Sequence, residues 1–302
     1  MSSESDTFVV EPEANNNRYL PGRRLQGSEL AWAFAFLVPY LAVFAAFVIY
    51  PVSYGLWMAR EPALYGELFA DPPYVRTVVN TVLFVGIGVN VMMFAAVLLS
   101  GFFMRREWWV RALLAIYLLS WALPAVPSFV SFHWMLIGEQ GLVDSLLREL
   151  FAVEGPIWFN DHSLALSWNI AAYVWKWMPF WTMVFVAGRM AIPQEIYETA
   201  AIDGAIGARR FVHVVFPLLA NIYLVSTLLA TLWTVGDFNT VYLVSSGAPA
   251  RSTEVLATLG FHYAFDAAQP SLGVAAVMSV LPLLVPLALL LMRRLQVGEV
   301  EL

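Results

Sequence analysis

Six stretches of mostly apolar residues recur along the chain, and they constrain its fold more than any other feature. They run from about 30 to 57, 77 to 104, 108 to 137, 164 to 190, 218 to 235 and 272 to 292. A helix crossing the bilayer needs about 20 such residues. Only a helix or a closed barrel satisfies its own backbone where there is no water. Nothing else in the chain offers a soluble alternative. Apolar residues make up 60% and charged residues 13% of the 302, against roughly 45–50% and about 25% in a soluble domain. The expected fold class is therefore all-α, a polytopic membrane protein with six transmembrane helices. Pro39, Pro124, Pro127, Pro179, Pro282 and Pro286 fall inside the stretches. Each removes an amide and crowds a preceding carbonyl. In a bundle they mark expected kinks rather than ends.

Charge orients the spans. With the N-terminus in the cytoplasm, eleven arginines lie inside: Arg18, Arg23, Arg24, Arg105, Arg106, Arg111, Arg189, Arg209, Arg210, Arg293 and Arg294. Arg60, Arg76, Arg148 and Arg251 lie outside. The bias follows the positive-inside rule. Both termini are expected in the cytoplasm. Residues 1–29 read as a disordered polar tail without the short apolar core and cleavage site of a signal peptide. Residues 30–295 read as the membrane domain and 296–302 as a second cytoplasmic tail. The outer loop 138–163 carries five acids and one arginine, and a short helix is expected over 142–151.

Several chemistries are missing. The chain has no cysteine, so disulfides, thiolate metal sites and cysteine nucleophiles are excluded. A net charge of −6 leaves no basic footprint for nucleic acid. The only lysine, Lys176, follows Val174-Trp175 rather than a glycine-rich loop, so no phosphate-cradling ATP site exists. His133, His162, His213 and His262 are far apart and form no zinc pair, and His162 and His213 read as plain loop residues. No catalytic site and no metal site are expected.

One internal segment, 191–217, is long for a cytoplasmic turn and patterned. Pro193, Gln194 and Glu195 suit a helix start. Ile196, Tyr197, Ala200 and Ala201 make one apolar face. Asp203-Gly204 ends that helix and turns the chain. Phe211, Val214 and Val215 restart an apolar face before Pro217. Two short helices at an angle are expected, with Asp203 placed to cap the second. A surface helix lying on lipid would carry basic and bulky apolar residues instead.

This segment resembles the EAA motif of binding-protein-dependent ABC importer permeases. Glu198-Thr199-Ala200, then Ala201-Ile202-Asp203, Gly204, nine residues and Val214-Val215-Phe216-Pro217 match its spacing. Thr199, Val214 and Phe216 depart from the usual residues but stay small or apolar. The resemblance extends over about 30–295 and is closest to the carbohydrate branch, the maltose and glycerol-3-phosphate permease type. Ala125-Val126-Pro127-Ser128-Phe129, Trp158-Phe159-Asn160-Asp161 and Ser246-Gly247-Ala248-Pro249 carry it further. It implies a permease subunit of an importer for a sugar, polyol, glycoside or sugar phosphate. It also implies a second homologous permease, two ATP-binding subunits that hold the ATP and magnesium, and an extracytoplasmic solute-binding protein. Tyr197, Glu198, Ala200, Ala201, Asp203, Gly204 and Ala205 would seat in the ATPase. No cofactor is implied in this chain.

The solute path draws on ionisable and aromatic residues within the spans. Tyr173, Lys176, Trp177 and Phe180 fall on one helical stripe beside Pro179. The resemblance places sugar contacts near Tyr173, Trp175, Trp177 and Phe180, and near Trp233, Thr234 and Asp237. Aromatic faces suit pyranose rings, although tryptophans also anchor spans at the membrane surface. Two partners suit Lys176: Asp237 across the pore, or an anionic group on the solute. The competing function is an ion-coupled secondary carrier or channel, which would usually show internal repeats and more midplane charges. A membrane-embedded enzyme is a third class, for which no motif speaks.

Overall fold

The computed structural model describes residues 27–299, and every regular element among them is helical. Most of the expected tail 1–29, including Arg18, Arg23 and Arg24, lies outside the described residues, as do residues 300–302. The chain divides into two compact units, Met1–Tyr54 and Gly55–Leu302. Helix α1 (Gly27–Phe44) passes through a π-helical turn at Ala45–Ile49 into α2 (Tyr50–Met58), within which the boundary between the units falls. The turn ends two residues before Pro51, where the missing amide would otherwise break the ladder. Phe34–Met58 forms a candidate span.

In the second unit α3 (Pro62–Ala70) leads into the long α4 (Pro72–Phe103). Next come α5 (Trp108–Ala122), α6 (Ala125–Met135), α7 (Leu142–Phe151) and α8 (His162–Met190). Then follow α9 (Gln194–Ile202), α10 (Gly207–Arg210), α11 (Phe216–Val235) and α12 (Asn239–Val244). The chain finishes with α13 (Leu256–Phe261), α14 (Pro270–Met278) and α15 (Leu281–Glu299). The core sits where α4, α8 and α11 pack together, around Phe84, Met92, Met93, Tyr173, Phe185, Leu219 and Ala230. Large apolar residues such as Val75, Phe94, Ile116 and Leu229 are exposed on the helices.

Among the described residues, five helices are long and apolar enough to cross a membrane, and α5 with α6 makes a sixth crossing as a bent pair. The kink expected at the prolines of the third span is here sharp enough to divide the helix in two. The helix ends at Ala122, and the pair bends by 97°. Pro124 and Pro127 stand on the far side of the break and cannot donate to the carbonyls of Ser120 and Leu123 four residues back. The fifth span also differs: its helix begins at Gly207 rather than near 218, and runs to Val235 as one piece. A second π-helical turn, Phe211–Val215, ends two residues before Pro217 and carries the helix past it. His162 and His213, read as loop residues, are helical. His162 opens α8 and bonds Asn80 Oδ1 at 3.0 Å, while His213 sits in the π turn.

Candidate functional site

The segment after α8 forms an exposed helical knob. Helix α9 stops because Gly204 takes φ +72. The Gly204 amide donates to Ala201 O at 3.1 Å and the Ala205 amide to Ala200 O at 2.8 Å. This paired closure with a left-handed glycine is a Schellman stop. Tyr197 and Ala200 turn inward, Ala200 being buried and Tyr197 packed on the core. Glu198, Ala201, Asp203 and Gly204 are exposed, and Ala205 is half-buried. Asp203 does not cap the next helix. It closes α9, and α10 starts after Ile206 with Gly207 at φ +58, too far along for the Asp203 carboxylate. Ile202 and Ile206, 86% and 69% exposed, flank the turn. The sequence reading missed both, though apolar residues on either side of Asp203-Gly204 could have signalled a docking face.

The candidate path residues divide into two groups. Trp233 is 48% exposed and meets Phe180 at 5.9 Å and Trp181 at 5.6 Å between ring centroids. Phe180 also meets Trp121 at 5.7 Å. Four aromatic rings from α5, α8 and α11 thus share one patch. Trp121 and Trp181 were not foreseen; Trp121 lies three residues before Pro124, where the span breaks. Trp175 stands apart on the exposed side of α8, edge-on to Phe132.

The second group lies behind that patch. Tyr173 and Thr234 are buried and share a 2.7 Å hydrogen bond. Thr234 spends its proton on Ala230 O, so the tyrosine donates. Trp177 packs on the core, and its Nε1, like Asn169 Oδ1, is buried without a partner in the chain.

Lys176 is only 2% exposed. Its Nζ donates to Ser120 O at 2.8 Å, to Trp121 O at 3.4 Å and to Leu123 O. It does not pair with Asp237, because the break between α5 and α6 holds it. Its targets include the two carbonyls that Pro124 and Pro127 leave without an amide. Asp237 instead accepts from the Thr240 amide at 3.0 Å and steadies the start of α12.

The turn after α12 is pinned to α4. Asn80 Nδ2 donates to Ser252 O and Glu254 O at 2.6 and 2.9 Å. Gly247 takes φ +77 within the Ser246–Pro249 turn. Arg251 grips the buried Glu254 carboxylate through Nε and Nη2. Burial pushes the Glu254 carboxyl above its usual range, and the Arg251 guanidinium pulls it back. No group of three or more His, Asp or Glu residues able to hold a metal occurs among the described residues.

Apolar spans around a polar-aromatic interior, with a helical knob at the end of α8, define a membrane transport component. The chain belongs to the family of binding-protein-dependent transport system inner membrane components, whose model matches residues 38–296. It is a permease of the ABC importer class and thus a multi-pass inner-membrane protein. It is 33% identical to the sulfoquinovosyl glycerol transport system permease of Agrobacterium fabrum, over 64% of this chain and 62% of that one. The chain therefore spans less than two thirds of that relative. It is 27% identical to the trehalose/maltose permease of Thermococcus litoralis, over 80% of this chain and 85% of the relative. It is 29% identical to the sn-glycerol-3-phosphate permease of Brucella abortus, over 84% and 90%. A bacterial ABC transporter that imports the acidic polysaccharide alginate shares the fold, with a TM-score of 0.78 over 89% of this chain and 96% of that one at 18% identity.

Proposed function

We propose that this permease subunit carries a carbohydrate or carbohydrate-like solute inward, forming half of a path completed by a second, homologous permease. Two separate ATP-binding subunits drive it, and an extracytoplasmic binding protein delivers the solute. The observation that carries this reading is the exposed Schellman-closed knob of α9. An element with no nucleotide site of its own, presented on a rigid helix end, fits a motor supplied in trans. Tyr197, Glu198, Ala200, Ala201, Asp203, Gly204 and Ala205 form its seat in the ATPase. The relatives named for sulfoquinovosyl glycerol, trehalose/maltose and sn-glycerol-3-phosphate support the substrate class.

The continuous helix Gly207–Val235 supplies the lever. At 1.5 Å per residue its 29 residues span about 44 Å, from the knob to just past Trp233. Phe180, Trp233 and Trp175, with Trp121, present ring faces to the solute. Tyr173, Trp177, Thr234, Lys176 and Asp237 set those faces from behind. Both termini lie in the cytoplasm, in keeping with the arginine bias.

The test is copurification of the ATPase with this chain from its native membrane, followed by stimulation of ATP hydrolysis by loaded binding protein. Uptake by this chain alone in liposomes without ATP would overturn the reading and favour a secondary carrier.

A further inference from the structure

Arg189 is the last basic residue of α8, one residue before that helix ends. Its side chain is 8% exposed. A guanidinium buried near a span end needs compensating partners. Here they are a hydroxyl, a carbonyl and a ring rather than a carboxylate. Nε donates to Ser100 Oγ at 2.7 Å, and Nη2 donates to Val97 O at 3.0 Å. Ser100 Oγ in turn donates to the same Val97 O at 2.7 Å, so three hydrogen bonds close a ring on α4. The planar fork of arginine fits such a two-acceptor seat, and a lysine ammonium would fill only part of it.

The seat is shaped for it. Gly101 has no side chain, and a Cβ there would stand 3.3 Å from the guanidinium carbon. The other side of Arg189 faces the knob. Its guanidinium lies 5.6 Å from the Phe211 ring centroid, in the π turn that follows α10. This is within cation–π range. The backbone carbonyl of Arg189 takes the Tyr197 hydroxyl of α9 at 3.4 Å, and Arg210 lies over the Tyr197 ring at 5.8 Å. The Arg189 side chain therefore bridges α4 and the start of the fifth span's helix, while its backbone carbonyl holds α9.

We propose that Arg189 is the positioning residue that latches the coupling segment to the membrane helices. Displacement of the knob then reaches α4 and α8 as movement of one body. The proposal rests on the ATPase-coupling reading above. Without that side-chain bridge the helix that leaves the knob could shift against α4. Coupling requires an element that shifts as a unit between discrete positions.

The chain has no cysteine, so spin labels can be placed at Val212 and Leu98. Both are exposed, in the π turn that opens the fifth span's helix and on α4 respectively. The measurement uses the whole transporter with cysteine-free partner subunits, nucleotide-free and vanadate-trapped. With Arg189 present, the label-to-label distance is expected to be the same in both states. In Arg189→Met the single distance should be lost on trapping while the ATPase still copurifies. Arg189→Lys should restore it in part. A distance that changes with state in the parent, or that stays single in Arg189→Met, overturns the latch. If Arg189→Met does not reach the membrane, Ser100→Ala, which removes one acceptor, carries the same expectation and the same refutation. Failure of the ATPase to copurify with the parent transporter overturns the coupling reading instead, and the two failures are thereby distinguished.

Discussion

Replacing Lys176 with Met should destabilise the break between α5 and α6 rather than alter solute recognition directly. In a straight helix the amide at 124 would serve Ser120 O and the amide at 127 would serve Leu123 O. Prolines occupy both places, and Lys176 Nζ donates to both carbonyls. The ammonium also sits at the C-terminal end of α5, where the helix dipole places about half a negative charge. A buried carbonyl left without a donor costs about 1–3 kcal/mol. Ser120 O is the buried one of the two, which sets the expected loss at about 1–3 kcal/mol. The assay is reversible unfolding of the purified chain in mixed micelles. Lys176→Arg, which keeps several donors, should recover most of the loss.

A double-mutant cycle makes the cause specific. Pro124→Ala lets α5 run on through the break and bring an amide to Ser120 O, so Lys176→Met should cost less in that background, with a coupling of about 0.5–3 kcal/mol. Exchange of charges, Lys176→Asp with Asp237→Lys, should rescue nothing, because Asp237 is bonded to Thr240 and not to the lysine. A loss below about 1 kcal/mol for Lys176→Met, or strict additivity with Pro124→Ala, would refute the assignment.

Three further outcomes are expected. Gly204→Ala meets open space but must hold φ +72, a strain of about 1–2 kcal/mol. Gly204→Trp adds bulk at the knob and should detach the ATPase, so undiminished copurification and transport in the tryptophan variant would count against the docking role. A cysteine at Ala152 should label with an impermeant thiol reagent in intact cells and one at Ala208 only after permeabilisation; the reverse pattern inverts the topology. The third concerns Glu254, whose carboxyl burial has already raised. Such a group stabilises the fold fully below its unfolded value, and that contribution is lost as pH rises through the folded value. Arg251→Gln removes the opposing guanidinium, so protease cleavage within 245–256 should increase as pH climbs past the ordinary carboxylate range. Adding Glu254→Gln should flatten the profile, and a flat profile in Arg251→Gln alone would contradict the account.

The spans were legible because their length is set by the bilayer, and no local detail can change that requirement. The Asp203-Gly204 stop was legible because a left-handed residue ending a helix is almost a property of glycine itself. The fate of each proline was not, since a proline only deletes a donor and the replacement comes from elsewhere. Pro217 read as the entry to a span, yet a π turn lets the helix run on from Gly207. Pro124 and Pro127 read as kinks, yet their lost donors come from a lysine over fifty residues away in sequence. The same long-range fact removed Lys176 from the solute-facing stripe. Helical periodicity places it beside Tyr173 and Trp177, but periodicity cannot say which side of α8 another broken helix will occupy.

These local solutions join into one mechanical argument. The knob ends in a fixed turn, and the helix leaving it runs unbroken from Gly207 to Val235. A straight helix transmits displacement along its length, whereas a break absorbs it. The π turn at Phe211–Val215 is therefore consequential: it removes the discontinuity that Pro217 would impose, between the knob and Trp233. The α5–α6 pair is the opposite case, because its break is kept and tied through Lys176 to α8. Trp121 lies next to that break and touches Phe180, and Phe180 touches Trp233. If the function is as proposed, a push delivered through the unbroken helix would meet, at the aromatic patch, a pair of helices divided at a break that Lys176 pins. Rigidity on one side of the patch and a pinned hinge on the other are what a solute path needs in order to open and close around ring faces.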